Sequence, residues 1–284
     1  MVDGNIHNID TYIKGMSTTL TDKLWWSDLI PDEIDTVIDY GCAQGDLALL
    51  MQDKYQYIGI DNSSEMLQLA RHNHILHFGR SSEFYPSLIE ANGKYDPSKT
   101  VLVLNSVMHE IFSYLSDAEI HALFEEMFGN GIRCVAIRDM HLPDTEDLNK
   151  IGTRNNKARI EQSYRYSYLW TEYMNYMMYG RYSEGYRQED KGRIAFERMP
   201  LYITEFLMKY RYVENWRREM RENYFWPWLQ MISQYIRSDG NEHGFYGIAH
   251  ESEFRVQFIV DRIKEDFDID FDLNTHRKVL LLAL

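Results

Sequence analysis

Through the first half of this chain, short apolar runs alternate with amphipathic segments, and that alternation admits few folds. The runs Thr36–Tyr40, Tyr57–Asp61, Ile75–Phe78, Val101–Ser106 and Arg133–Asp139 read as strands. Between them, the stretches near Asp46–Lys54, Ser64–His74, Ser82–Ala91 and Asp117–Phe128 read as helices. Ser116 and Glu119 form an S-x-x-E capping box before the last of these, and Gly129 and Gly131 close it. Parallel strands need crossovers of helical length, so this order builds a doubly wound, mostly parallel α/β sheet.

After Asp139 the alternation stops. Residues 141–247 read as mainly helical, with Ile203, Phe206, Leu207, Tyr210, Val213 and Met220 on a helical period. Glu253–Phe267 then reads as a helix, and Asp268–Leu273 and Lys278–Leu284 as strands. Only Asn274–Arg277 separates those two strands, so an antiparallel hairpin is expected. The layout is therefore a helical cap at 1–34, with Trp25 and Trp26 placed to close a pocket, and a seven-stranded core at 35–140 and 251–284. A large helical insertion at 141–250 is read as a lid or substrate-binding segment.

Charge separates the same regions. The chain of 284 residues carries a formal net charge of −14, but residues 151–237 hold 15 Lys and Arg against 10 Asp and Glu. Those residues also hold 13 of the 21 tyrosines. Tyr164, Tyr166, Tyr168, Tyr173, Tyr176 and Tyr179, with Arg159, Arg165 and Arg181, read either as a stacking surface for nucleic acid or as half-buried core aromatics. The acidic remainder favours the core reading, although Lys209–Tyr212, with Arg217, Arg218 and Arg221, keeps an anionic substrate or an RNA open. The polar N-terminus has no leader pattern, and the longest apolar run, Val279–Leu284, is too short to span a bilayer. Two cysteines imply no disulfide framework, which points to the cytoplasm.

The chemistry lies at Thr36–Asp46, where a buried strand ends in Asp39 and a small-residue turn, Gly41-Cys42-Ala43-Gln44-Gly45, opens into a helix. Gly41 and Gly45 let the backbone approach a ligand where a side chain would clash. Twenty residues after Gly41 a second strand ends in Asp61, whose carboxylate can accept from a ribose diol. A dinucleotide turn would need Gly-x-Gly-x-x-Gly, whereas these positions read Gly41, Ala43 and Asp46, and Asp46 would repel a pyrophosphate. An acid at Asp39 suits a cationic ligand instead.

The run Val37–Gly45, with Tyr57–Arg71, resembles the first two motifs of class I S-adenosylmethionine-dependent methyltransferases. Val101–Ile111 is similar to that family's fourth-strand motif. The resemblance covers about 35–140 and 251–284 and implies a Rossmann-like sheet binding S-adenosylmethionine. It implies that Asp39, Gly41, Cys42 and Gly45 line the methionine portion, that Asp61 holds the ribose, and that Asn62 and Met66 lie near the adenine. Asn105 would offer its backbone carbonyl near the methionine end. Two departures stand out: Ala43 replaces the middle glycine, and Arg80 stands near the usual adenine-amine acceptor, where Ser81 or Ser82 could substitute.

Candidate catalytic residues sit where strands four and five end: His109, Asp139 and His141, with Glu110. A general base is needed only if the acceptor must lose a proton. The sequence leaves the acceptor unidentified and favours a small molecule. A non-catalytic binding protein and an RNA methyltransferase are the alternatives. His72, His74 and His77 miss the spacing of a helical zinc site, so no metal is expected.

Overall fold

The computed structural model describes residues 21–51, 54–78, 83–178, 197–237 and 244–284. They fall into two compact units. Of the described residues, a sheet unit takes those from 21 to 140, 227–237, 244–252 and 277–284, and a helical unit takes 141–178, 197–226 and 253–276.

The sheet unit carries strands β1 (Thr36–Tyr40), β2 (Gln56–Ile60), β3 (Glu83–Tyr85), β4 (Thr100–Asn105), β5 (Cys134–Met140), β6 (Tyr246–Phe254) and β7 (His276–Ala283). Their spatial order is β3-β2-β1-β4-β5-β7-β6. The pairs β1–β2, β1–β4, β2–β3 and β4–β5 are parallel. β4 and β5 are buried along their whole length, as parallel strands covered on both faces must be. The last strand runs the other way. Ala283 N–H donates to the Arg133 carbonyl at 2.9 Å, which sets the end of β7 beside the start of β5. Leu284 N–H donates to the Phe245 carbonyl at 3.1 Å, which sets the same end beside the start of β6.

The seven-stranded, mostly parallel sheet with antiparallel C-terminal strands is the expected one, but four local expectations change. Ile75–Phe78 is not a strand; it ends the helix Ser64–Phe78, and the third strand is Glu83–Tyr85. A short apolar run carries no period that separates strand from buried helix. The expected helix at Ser82–Ala91 accordingly splits into that strand and a short helix, Leu88–Ala91. Asp268–Leu273 forms no strand either, so the partner of β7 is β6, with the helix Gln257–Phe267 between them in sequence. Ile269, Phe271 and Leu273 are buried while Asp268, Asp270 and Asp272 are exposed, so the twofold period reports an extended chain that is not hydrogen-bonded into a sheet. Trp25 and Trp26 follow a 3-10 turn, Thr21–Leu24, rather than lying in a helix. The capping box is present, with the Glu119 carboxylate accepting from Ser116 N–H at 2.8 Å.

The helical unit includes the helices Thr145–Ile151, Arg154–Gln162, Ser167–Tyr176, Met199–Lys209 and Gln257–Phe267. Ile203, Phe206, Leu207 and Tyr210 are buried as their period requires, whereas Val213 is exposed. Tyr173 is fully buried against Trp170 and Phe206, while Tyr164 and Tyr168 are exposed. Most of the described tyrosines in this region therefore build core. Three of the cations meet acids of their own unit, while Arg217 and Arg221 are exposed: Lys209 is buried on Glu205 at 2.8 Å, Arg211 reaches Asp266 at 2.7 Å, and Arg218 reaches Glu222 at 2.6 Å. Tyr179 and Arg181 lie outside the described residues. Among the described residues no helix is long and apolar enough to cross a membrane.

Candidate functional site

The turn after β1 is fixed by β2. The N–H groups of Gly41 and Cys42 both donate to the Ile60 carbonyl, at 2.8 and 2.9 Å. Gly41 and Gly45 have φ of 76° and 78°, the left-handed region that glycine enters without a Cβ penalty. A Cβ on Gly41 would stand 2.9 Å from Val107 Cγ2. Ala43 also sits at positive φ, 48°. The conformation suits a glycine, so the departure at Ala43 leaves the backbone path intact at a local conformational cost of about 1–2 kcal/mol.

Asp61 holds this turn. Its Oδ2 accepts from Ala43 N–H at 2.9 Å and its Oδ1 from Ser63 N–H at 2.8 Å. Of the residues expected beside the adenine, Asn62 is exposed and Met66 is buried. Ser81, with Arg80 and Ser82, lies outside the described residues.

Asp39 is buried and accepts from the Tyr57 hydroxyl at 2.8 Å. Burial raises its carboxyl to about 6, against the opposing pull of Tyr57 and of the Lys23 ammonium. Lys23 is buried as well, and burial lowers it to about 8 while Asp39 draws it upward. The Asn105 amide donates to the Lys23 carbonyl at 3.4 Å. Asn105 Oδ1 is buried with no hydrogen-bond partner. The Cys42 thiol is buried and pushed well up, first by burial and then by Asp39, which makes it a packing group rather than a nucleophile.

The catalytic candidates separate by unit. In the sheet unit, β4 and β5 pair in register with Asn105 opposite Arg138, so the residues that follow them meet. His109 Nδ1 lies 2.8 Å from Asp139 Oδ1. Asp139 is fully buried and also accepts from the N–H groups of Met108 and Met140, each at 2.7 Å. A carboxylate has no proton to give, so the facing ring nitrogen carries one. His141 belongs to the helical unit, where its Nδ1 lies 3.0 Å from the Leu142 carbonyl and its Nε2 lies 3.8 Å from Glu253. Glu110 lies in the first turn of the helix Met108–Tyr114.

Several members of the site carry no signal in sequence spacing. Asp22 binds Arg138 at 2.7 Å and Lys278 at 2.6 Å, which pins the 3-10 turn. Arg138 also donates to Ser106 Oγ at 3.3 Å. Phe84 packs against His74 at 4.9 Å and fills the space beside Gly59, where a Cβ would stand 2.6 Å from its ring. His74 thereby serves the core, while His72 is exposed. Among the described residues no group of three or more His, Cys, Asp or Glu side chains is placed to hold a metal ion.

Residues 31–119 match a family model described as a methyltransferase domain. Among solved structures the chain is similar to magnesium protoporphyrin IX methyltransferase from Synechocystis with bound SAH, at 14% identity over 99% of this chain and 90% of that one, with a TM-score of 0.44. It is also similar to PKMT2 from Rickettsia typhi, at 17% identity over 89% of this chain and 50% of that one, with a TM-score of 0.45. The methyltransferase domain of bacterial CtHen1 is 12% identical over 95% of this chain and 99% of that one, with a TM-score of 0.40. No curated protein matches the chain.

Proposed function

We propose that this chain is a class I S-adenosylmethionine-dependent methyltransferase that methylates a small molecule whose nucleophile must first lose a proton, a reading supported by the methyltransferase-domain match at residues 31–119. The observation that supports cofactor binding most is the pair of acids at the ends of β1 and β2. Asp39 is buried in charge-bearing surroundings, and Asp61 braces a turn at positive φ by accepting from Ala43 N–H. The residues fit an amino-acid-bearing nucleoside: Asn105 Oδ1 is an orphaned buried acceptor, and Asp39 is a carboxylate suited to an ammonium.

When bound, S-adenosylmethionine supplies a methyl carbon already activated by its sulfonium. The protein's task is then alignment and exclusion of water. His109 would take the acceptor's proton at Nε2, and Asp139 would hold the ring in the required tautomer. Asp61 would bind the ribose hydroxyls, Gly41 and Gly45 would give the methionine portion room, and Met66 would pack near the base. We assign to the helices within 141–226 the choice of acceptor, and the neutralised cations Lys209, Arg211 and Arg218 argue for a small molecule over RNA.

Calorimetric titration with S-adenosylmethionine and S-adenosylhomocysteine tests the first half of this reading. Saturable 1:1 binding that weakens in Asp61→Ala is the expected result; no heat with either nucleoside would overturn it. Transfer of a labelled methyl group to a small-molecule extract, compared with transfer to total RNA, tests the second half. Label incorporated only into RNA would replace the small-molecule acceptor.

A further inference from the structure

The helical unit encloses a cavity of about 560 Å³. That size falls within the range of about 300–1,000 Å³ that holds small organic ligands. Its longest wall is the helix Ser167–Tyr176 with the turn that follows it. Residues four apart on a helix share a face, so two stripes run side by side along this wall. Trp170, Met174 and Met178 form the apolar stripe, and Ser167, Thr171 and Asn175 the polar one. Met199, at the start of the helix Met199–Lys209, adds a third thioether. Lys157 and Glu161, on the helix Arg154–Gln162, complete the lining among the described residues.

Each wall constrains what the cavity can hold. Trp170 is buried, with its ring set edge-on to Phe206 at 5.1 Å, so it is held in place before any ligand arrives. The three methionines are only half-buried. Their thioethers are polarisable and gain more from an aromatic ring than from a saturated one. The Thr171 hydroxyl donates to the Ser167 carbonyl at 3.0 Å, so it meets a ligand as an acceptor. Lys157 and Glu161 bond to each other, so the lining calls for no net charge on its occupant.

We infer that this cavity is a binding site for a neutral, planar aromatic molecule with a hydroxyl or amino donor on one edge. The ring lies against the methionines and Trp170, and the donor meets Thr171. The inference goes beyond the cofactor reading and does not depend on it, because every described lining residue lies outside the methyltransferase-domain match.

The probe is 2-naphthol, titrated calorimetrically into the full chain, with decahydro-2-naphthol as the saturated control. The wild type should bind 2-naphthol with a Kd below about 1 mM and about 10-fold more tightly than the saturated alcohol, as a few sulfur–aromatic contacts allow. Met174→Trp, which fills the cavity from a half-buried position, should weaken 2-naphthol by about 10-fold or more. Thr171→Val should weaken it by about 3- to 10-fold, the worth of one hydrogen bond. Should Met174→Trp not fold, Thr171→Val carries the test, because that side chain is exposed. Three results would each overturn the inference: no saturation by 2-naphthol up to about 1 mM, equal affinity for the saturated alcohol, or binding that the variants leave unchanged. Addition of S-adenosylmethionine then distinguishes two sources of such a ligand. Formation of the naphthyl methyl ether, reduced in Thr171→Val, identifies the bound molecule as the methyl acceptor. Binding without methylation upholds the site as one for a ligand other than the acceptor.

Discussion

Asp139→Asn separates the two duties given to that side chain. Its Oδ2 accepts from Met108 N–H at 2.7 Å and from His109 N–H at 3.4 Å; its Oδ1 accepts from Met140 N–H at 2.7 Å and faces His109 Nδ1 at 2.8 Å. Every one of these partners is a donor, and the side chain is fully buried. An asparagine must turn its NH2 toward one pair. With its oxygen kept on Met108 and His109 N–H, the NH2 confronts Met140 N–H, which loses its acceptor. It also confronts His109 Nδ1, which can become an acceptor only by moving the ring proton to Nε2. A charged hydrogen bond contributes about 1.5–3 kcal/mol, and a buried donor left unsatisfied costs about 1–3 kcal/mol. Asp139→Asn should therefore lower the unfolding free energy by about 2.5–6 kcal/mol in urea, with the denaturant slope unchanged. The ring nitrogen spectrum of His109, assigned against His109→Gln, should switch from the Nδ1–H to the Nε2–H tautomer. If the acceptor reading is right, methyl transfer should fall by about 100-fold or more, because the protonated Nε2 can no longer act as base. An unchanged tautomer with a stability loss under about 1 kcal/mol would refute the dyad.

Gly41→Ala forces a Cβ to 2.9 Å from Val107 Cγ2 at a φ of 76°, and should cost about 1–3 kcal/mol in thermal or urea unfolding. Val107→Ala in the same chain should return part of that loss, and strict additivity of the two changes would show that no contact is felt. Asp39, raised by burial from 3.8 to about 6, takes up its proton in the native state before the unfolded chain does as pH falls. Cofactor affinity should accordingly be full above pH 7 and decline below about pH 6, and a titration flat from pH 7.5 to 5 would contradict the assignment. Glu219, held by burial and by Glu222 at about 8 against an ordinary 4.5, gives the opposite of the usual carboxylate slope. The native state then binds more protons than the unfolded chain between pH 4.5 and about 8, so stability should be lost as pH rises through that window. Glu219→Gln should flatten the loss measured by urea unfolding at pH 6 and pH 8.5.

What the sequence discloses about this molecule is what is local. The turn Gly41–Gly45 and the acids Asp39 and Asp61 lie within one strand–helix–strand unit, where spacing alone fixes who can meet whom. Even the departure at Ala43 is legible, because the backbone path it must follow is set by its neighbours and by the Asp61 carboxylate. The misread segments fail for a single reason: an apolar run or a twofold period reports burial, and burial is common to strands, helix ends and extended chain alike. Ile75–Phe78 and Asp268–Leu273 are two cases of it.

His109 and Asp139 stand between these extremes. Each is recognisable as a candidate by type and place, yet their pairing follows only from β4 and β5 being neighbours in register. Lys23 was beyond reach. Its position is set by Asp22, whose partners Arg138 and Lys278 lie 116 and 256 residues away. The division has a physical basis. The turn's shape is a property of consecutive dihedral angles, whereas a site's charge balance is a sum over groups brought together by the whole sheet. Sequence motifs therefore reveal which nucleoside frame the fold can cradle. The charges around that frame depend on residues such as Lys23, which the whole sheet brings beside the motif turn.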